Sequence, residues 1–269
     1  ASEVEKRQVH LLRRGEPSQK QGKRSQGFLR VLMRSEKNET HWQKSKPEWA
    51  RTSFRRKAFA DWLVDTEHGA GQLLARVMVN RLWQHHFGRG IVGTPSDFGL
   101  QGELPTHPEL LDWLAGEVIQ NGWRLKPLHK QIIMSATYQQ SAAFSQAKAD
   151  TDPENRLQWR RSPRRLEAEP IRDSLLKVSG LLDTTMFGKG TLDVKMKRRS
   201  VYFQIKRSKL IPTMQLFDTP EPLVGQGTRP STIISPQALL FMNNAQVREA
   251  ALTLARDYER ESVESAVRN

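Results

Sequence analysis

Cysteine is absent from this chain of 269 residues. Its absence excludes disulfide bonds, thiolate metal ligands, a cysteine nucleophile and covalent haem attachment within these residues. Long apolar runs are also missing, since no stretch approaches the roughly 18 apolar residues that a membrane-spanning helix requires. The charged stretch from Ala1 to Val9 precedes no long apolar segment, and we therefore expect no signal peptide within the chain.

Signature motifs of several enzyme classes are missing as well. The chain has no Walker or dinucleotide-binding glycine pattern, and no serine lies in the context of a nucleophile elbow. We also find no internal repeat. The length is nevertheless sufficient to bury a core without help from disulfides or metal.

Positive charge is what the chain has in excess, with a net charge of +14. Residues 1–60 hold 16 Lys or Arg and 6 Asp or Glu, so that residues 61–269 contribute only +4. A basic chain suggests a polyanion partner, but nucleic acid is disfavoured because the excess lies in a polar leading segment. We predict a basic extension or interdomain connector over residues 1–53 and keep a polyanion-binding module as one alternative.

Helical periodicity dominates from residue 54 onward. Apolar residues recur at i, i+3 and i+4, and Gly88 and Asn121-Gly122 are typical helix ends. Thr106 and Glu109 have the spacing of a capping box. The predicted helices span residues 54–64, 72–87, 107–121 and 170–180. Two further helices are predicted to begin at Pro127 and at Ser235-Pro236.

Strand signals are few. Val201, Phe203 and Ile205 alternate with polar residues, which predicts one strand. Glycine and proline mark residues 88–105 as a loop, and residues 141–158 form a polar linker. We therefore predict a mainly α fold over residues 54–269, a helical domain with a small β element and long ordered loops, preceded by an extended basic N-terminal segment.

Several stretches, in this order, carry a family resemblance. They are ARVMVNRLWQHHFGRGIVGTPSDFG (75–99), THPELLDWLA (106–115), SATYQQS (135–141), RRLEAEPIRDSLLKVSG (164–180), RRSVYFQIKRS (198–208), LFDTPEP (216–222) and STIISPQALLFMNN (231–244). Together they resemble the planctomycete-type domain of unknown function fifteen fifty-three, over about residues 54–256.

The resemblance implies a setting rather than an activity. Such domains form the C-terminal part of exported bacterial proteins that often carry a cytochrome c-like domain, which places them in the periplasm or cell envelope. The implied partners are the preceding domains of the same parent protein. Any haem would belong to a neighbouring domain, and we expect no cofactor within this segment. The family provides no established catalytic residues.

Two classes of function therefore remain open beside the polyanion-binding module. The leading hypothesis is an auxiliary or interaction module linked to redox or carbohydrate handling. The alternative is a glycan-acting enzyme with a charged or metal-assisted site, for which Trp42, Trp49, Trp123 and Trp159 are candidate sugar platforms. An enzyme would gather the conspicuous residues around one cleft with shifted pKa values, whereas an auxiliary module would not.

A metal site is the first candidate constellation. Neutral imidazole is a common metal ligand, and a helix–loop–helix arrangement would allow His86, His107 and Asp97 to meet. Their spacing matches no zinc signature. The competing interpretation is structural, with one histidine packed on an aromatic ring and another at a helix end.

A dense charged cluster is the second candidate. Catalytic candidates within it are Glu167, Arg172, Asp173 and Asp218. Arg164, Arg165, Arg198 and Arg199 are the candidate binding residues, because guanidinium groups bind carboxylates and phosphates in bidentate fashion. The competing interpretation, which we favour, is an internal salt-bridge network that orders the surrounding loops.

Overall fold

Helices make up most of the regular structure. The computed structural model describes residues 9–34, 39–45, 47–223 and 225–258, so residues 1–8, where no signal peptide is predicted, lie outside the described part. Within the described residues, the regular elements are nine α-helices, short 3-10 turns and one two-stranded hairpin. The prediction of a mainly α fold with a small β element is confirmed. In this part of the chain, no helix is long and apolar enough to cross a membrane.

The chain divides into two units, one through Ser162 and one from Pro163. The first unit contains β1 (Val9–Leu12), β2 (Lys20–Arg24), α1 (Arg55–Val64), α2 (Gly71–Phe87), α3 (Pro108–Gln120), α4 (Leu125–Met134) and α5 (Gln146–Thr151). The second contains α6 (Ala168–Val178), α7 (Pro212–Leu216), α8 (Ser235–Asn243) and α9 (Ala245–Tyr258). The division into an extension over 1–53 and a domain over 54–269 stays a prediction.

The hairpin lies in the basic leading segment. β1 and β2 are antiparallel, with Val9 opposite Arg24 and His10 opposite Lys23. All five residues of β2 are exposed, including its three cations. The small β element is therefore present, but it is not at the position that the alternation near residue 203 predicts.

Aromatic packing holds the leading segment against α1. The ring of Phe28 stacks on that of Trp62 at a centroid distance of 5.4 Å and meets Trp42 edge-on at 5.6 Å. Trp42 is only 3% exposed, and its indole N–H donates to a carboxylate oxygen of Asp65 at 3.0 Å. The interpretation of Trp42 as a sugar platform is wrong, because the ring is part of a core.

The main core of the first unit is formed by α2, α3, α4 and the loop after α2. Its buried residues are Val79, Trp83, Phe87, Ile91, Val92, Leu111, Leu114, Val118, Leu128 and Ile132. α2 ends as predicted, since Gly88 has a φ of 93°, which glycine adopts readily. The buried side chain of Asn80 fastens the loop: its amide N–H donates to the carbonyl of Val92 at 3.0 Å, and its oxygen accepts from the Val92 N–H at 2.8 Å.

Three local predictions in the first unit were wrong. No capping box starts α3, because the hydroxyl of Thr106 donates to the carbonyl of Ile91 and no side chain caps the first helical amides. Trp113, which the apolar spacing of this helix predicts to lie in the core, is exposed on α3. The polar linker over residues 141–158 includes the helix α5.

The second unit is organised around α6. This helix begins at Ala168, so that Pro170 occupies the third position of its first turn, where the missing N–H has no intrahelical acceptor to lose. The core beneath it is formed by Ala168, Ile211, Met214 and Phe217. The helix predicted from Ser235 is divided into α8 and α9, because the backbone of Asn244 is extended and its side chain accepts the N–H of Gln246 at 2.9 Å.

The strand predicted at Val201, Phe203 and Ile205 is replaced by irregular backbone. Residues Ser200–Tyr202 form a 3-10 turn, and isolated bridges follow between Phe203 and Thr191 and between Lys206 and Lys209. Val201 and Ile205 are 70% and 78% exposed. The alternating pattern of apolar and polar residues does not predict a strand correctly here, because Val201 and Ile205 at its two ends are exposed to solvent instead of packing in a core.

Candidate functional site

A cleft of about 800 Å³ lies within the second unit. Its lining comes from α6, from the residues around Phe203, from α7 and from the loop that follows α7. The apolar part of the lining is made by Leu182, Val201, Phe203, Ile205, Ile211 and Met214. Charged side chains of both signs lie beside this apolar surface.

Arg229 pairs with two of the cleft's carboxylates. Its Nη1 donates to Oε2 of Glu169 at 2.6 Å and to Oε2 of Glu167 at 2.8 Å, and its Nη2 donates to Oε1 of Glu169 at 3.0 Å. The hydrogen bonds from Arg229 lower the pKa of Glu169 despite its partial burial, and the same contacts raise the pKa of Arg229. Glu169 is therefore held as a carboxylate.

Arg172 lies beneath the same surface and is almost entirely buried. Its Nη1 donates to the carbonyl of Arg198 at 3.0 Å and to the hydroxyl of Ser200 at 3.2 Å, and its Nη2 donates to the carbonyl of Met196. The guanidinium also lies 4.7 Å from the ring centroid of Phe203. Burial lowers the pKa of Arg172. Since its donors are directed to the protein backbone, Arg172 fixes residues 196–203.

Asp173 is the third carboxylate of the cleft. One of its oxygens, Oδ1, accepts both the backbone N–H and the hydroxyl of Ser200 at 2.7 Å. Arg172 and Arg199 lie 3.7 and 3.8 Å from its carboxylate. These contacts anchor the start of the 3-10 turn.

A second polar network joins the loop after α7 to α8. Asp218 accepts the backbone N–H and the hydroxyl of Thr232 at 2.7 and 2.8 Å. Gln237, buried on α8, donates to the carbonyl of Leu216 at 2.9 Å. Arg165 donates to the carbonyl of Thr232 and, at 2.8 Å, to the side-chain oxygen of Gln237. Asp218 and Arg165 thus meet in one network, although neither lines the cleft.

The remaining arginine candidates have separate surroundings. Arg164 lies 4.0 Å from Glu167. Arg198 donates to the carbonyl of Thr185 at 2.9 and 3.0 Å, and its guanidinium stacks on Tyr202 at 3.6 Å from the ring centroid. Of the four predicted binding residues, Arg199 alone lines the cleft, where its side chain is largely exposed.

Three lysines of the cleft lining lie outside the ion pairs that the described part of the chain forms. Lys177, Lys206 and Lys209 line it, and none of them forms an ion pair with a carboxylate of the described residues. Glu221 is the fourth carboxylate of the lining and is likewise outside any ion pair in this part of the chain. Because Arg229 is shared by Glu167 and Glu169, the five cations and four carboxylates of the lining carry a net charge of +1, and the three lysines are its cations outside these ion pairs.

The metal candidates are each engaged elsewhere in the first unit. Nε2 of His86 lies 2.9 Å from Nδ1 of His129, and Nδ1 of His107 lies 2.9 Å from the hydroxyl of Thr106. Asp97 accepts the N–H of Gly99 at 2.8 Å in a turn. Over the described ranges, no group of three or more His, Cys, Asp or Glu side chains is placed to hold a metal ion. The predicted trio stays a hypothesis.

Two important residues escaped the sequence analysis. Arg229 follows glycines and precedes a proline in an irregular loop, so that no periodicity marks it. Ser200 has no nucleophile-elbow context in the sequence, and its N–H and hydroxyl both donate to Asp173. Glu167 and Glu169 lie among Arg164, Arg165 and Arg172 in the sequence, so their spacing does not indicate a distant cation.

The comparison with protein families identifies the chain. The family model PSD1, described as "Protein of unknown function (DUF1553)", matches residues 55–269. The chain belongs to this family. Neither the curated proteins nor the solved structures include a match.

The DUF1553 match agrees with the resemblance seen in the sequence. Four of the stretches that carry it lie in the second unit, at 164–180, 198–208, 216–222 and 231–244. They supply Arg172, Asp173 and Ser200 to one network and Asp218 and Gln237 to the other. The family match therefore includes both networks of the second unit.

Proposed function

We propose that this DUF1553 domain is an interaction module whose second-unit cleft binds a polypeptide segment of a partner domain. The observation that carries the proposal is the exposure of Val201 and Ile205, 70% and 78%, at the edge of an apolar cleft of about 800 Å³. Apolar side chains grouped in a concave surface favour a ligand that removes them from water.

The charged groups of the cleft support binding more than proton transfer. A general acid for glycoside cleavage requires a raised pKa, so that it still holds a proton near neutral pH. The pKa of Glu169 is instead lowered by Arg229. Asp173 accepts the backbone N–H and the hydroxyl of Ser200 on one oxygen, so that this oxygen is engaged with the 3-10 turn. These carboxylates are suited to holding the walls of the cleft in place.

The resemblance supplies the setting of this proposal. In the setting that the resemblance implies, the domain belongs to an exported multidomain bacterial protein linked to redox or carbohydrate handling. The bound segment then comes from a preceding domain of the same parent protein, and haem belongs to that preceding part. The absence of a covalent haem motif from this cysteine-free chain agrees with such a division.

A glycan-acting enzyme is the second candidate. It is favoured by one observation, the presence of Glu167, Glu169 and Asp173 along a single cleft. Two carboxylates flanking a bound sugar are the usual requirement for glycoside hydrolysis. Release of reducing ends from a polysaccharide panel, abolished by Glu167→Gln, would establish this function.

The interaction module is tested by selection from a randomised peptide display library on the intact chain. The selected peptides are then assayed on an Ile205→Asp variant, which places a charge in the apolar part of the cleft. The matched control is Ile233→Asp, because Ile233 is also highly exposed in the same unit, at 90%, but does not line the cleft. We expect binding to be lost in the first variant and retained in the second. Peptides that bind both variants equally would refute the cleft as the site.

A further inference from the structure

We infer that the segment bound in the cleft is an extended, acidic strand that pairs with the backbone at Ile205 and places its carboxylates on Lys177, Lys206 and Lys209. This inference rests on the proposed function and adds the conformation and the charge of the ligand to it.

Next to the isolated bridge between Thr191 and Phe203, the backbone of Ile205 is unbonded in the described chain, whereas the N–H of Phe203 donates to the carbonyl of Ser200 at 3.0 Å. Thr191 donates its N–H to the carbonyl of Tyr202 at 3.0 Å, and Gln204 donates to the carbonyl of Thr191 at 2.8 Å. In extended backbone, successive residues direct their N–H and C=O groups to opposite edges. Within the described residues, the N–H and C=O of Ile205 make no hydrogen bond. The free N–H and C=O of this one residue can exchange a pair of hydrogen bonds with an added strand.

The side chains beside this edge define the apolar contacts. Ile205 is exposed in the cleft, and the buried side chains of Ile211 and Met214 also contribute to its lining. A strand directs alternate side chains to one face. A ligand with an aliphatic residue at every second position would therefore cover Ile205 with one face and leave the other for polar groups.

The charges beside this edge define the polar contacts. Lys206 and Lys209 close a tight turn, in which the N–H of Lys209 donates to the carbonyl of Lys206 at 3.0 Å. Arg207 lies within the same turn, and Lys177 lies in the last turn of α6. Since three lysines but only one carboxylate, Glu221, line the cleft outside the ion pairs of the described residues, an acidic segment finds more free partners there than a basic one.

The experiment uses short fluorescein-labelled peptides on the intact chain. Three of them alternate Val with Glu, with Lys or with Ser, and a fourth is the Val–Glu peptide N-methylated at alternate amides. Binding is followed by fluorescence anisotropy at low and high salt. The chain variants are Lys206→Glu with Lys209→Glu, and a control, Lys189→Glu with Lys195→Glu, which makes the same change in net charge outside the cleft.

We expect the Val–Glu peptide to bind with the highest affinity. Its affinity should fall at high salt, because salt screens partly exposed ionic contacts. Charge reversal at Lys206 and Lys209 should lower the affinity for the Val–Glu peptide about tenfold. The Val–Lys peptide should then bind this variant more tightly than the Val–Glu peptide does. The control variant should bind as the original chain does. A reversed preference is a gain of binding, which a misfolded variant would not produce.

Several results would overturn the inference. Equal affinity for the Val–Glu, Val–Lys and Val–Ser peptides would refute an acidic ligand, and undiminished binding of the N-methylated peptide would refute strand addition. If either result is found but Ile205→Asp still weakens the binding of all the peptides, the cleft does bind polypeptide and only the inference on conformation and charge fails. If the library-selected peptides bind the Ile205→Asp variant as tightly as the original chain, both the proposed function and this inference fail.

Discussion

Arg229 and Glu169 form a two-point contact, in which both terminal nitrogens of the guanidinium reach a carboxylate oxygen, at 2.6 and 3.0 Å. The two residues are 60 positions apart in the chain. Since Glu169 lies in the first turn of α6, the contact fixes an irregular loop to the beginning of that helix. It also joins Glu167 to the same guanidinium.

The pH dependence of stability should report this contact. The folded-state pKa of Glu169 lies below its ordinary value of 4.5, so the stabilisation is complete above that value and is lost as the pH falls through the folded-state pKa. We expect Glu169→Gln to lower the free energy of unfolding by about 1 kcal/mol at neutral pH and by progressively less below pH 4.5. Urea unfolding over a pH series measures both. Glu221→Gln, at an unpaired cleft carboxylate, is the control, and a pH-independent loss would contradict the assignment.

Arg172 should tolerate substitution poorly because its side chain is only 10% exposed. In Arg172→Lys the charge remains, but one ammonium group cannot reach the carbonyls of Met196 and Arg198 as the planar guanidinium does. We expect a loss of about 2 kcal/mol in the free energy of unfolding. Arg199→Lys, at a largely exposed side chain, should stay within about 0.5 kcal/mol of the original chain. Equal stability of both variants would mean that Arg172 does not fix this backbone.

Asn80 provides the corresponding test in the first unit. Asn80→Ala removes both partners of the buried backbone of Val92, for which we expect a cost of about 3 kcal/mol. The control is Asn121→Ala, whose amide also donates to a backbone carbonyl, that of Glu117 at 2.8 Å, but from an exposed position. Chemical unfolding followed by circular dichroism compares the two. A similar small loss in both would show that burial of Asn80 is not decisive.

Much of the helical fold could be predicted from the sequence, because α2 and α3 combine an apolar period with local end signals. Gly88 and Asn121-Gly122 act within one or two residues of the helix that they end. The failure near Phe203 has a different cause. The backbone at Ser200 is held by Asp173, 27 positions earlier, and no local pattern records this contact.

The candidate site shows the same limit. The cluster from Arg164 to Asp173 was recognisable as charged, and Glu167 and Asp173 do line the cleft. Their partners could not be predicted, because Arg229 acquires its role only when the loop folds onto α6. Side chains that act through distant hydrogen bonds have no fixed spacing, unlike the residues of a helix face.

The histidine hypothesis leads to the last prediction, made on metal content. His86 contacts His129, His107 contacts Thr106, and Asp97 is engaged in its own turn. A metal bound by His86, His107 and Asp97 would have to replace the hydrogen bonds that these three side chains make. We therefore expect far less than one equivalent of metal in protein purified without a tag or chelator. Elemental analysis of the original chain and of a His86→Ala, His107→Ala double variant measures it. One equivalent in the original chain that disappears in the variant would reverse this expectation and revive a metal-assisted site in the first unit.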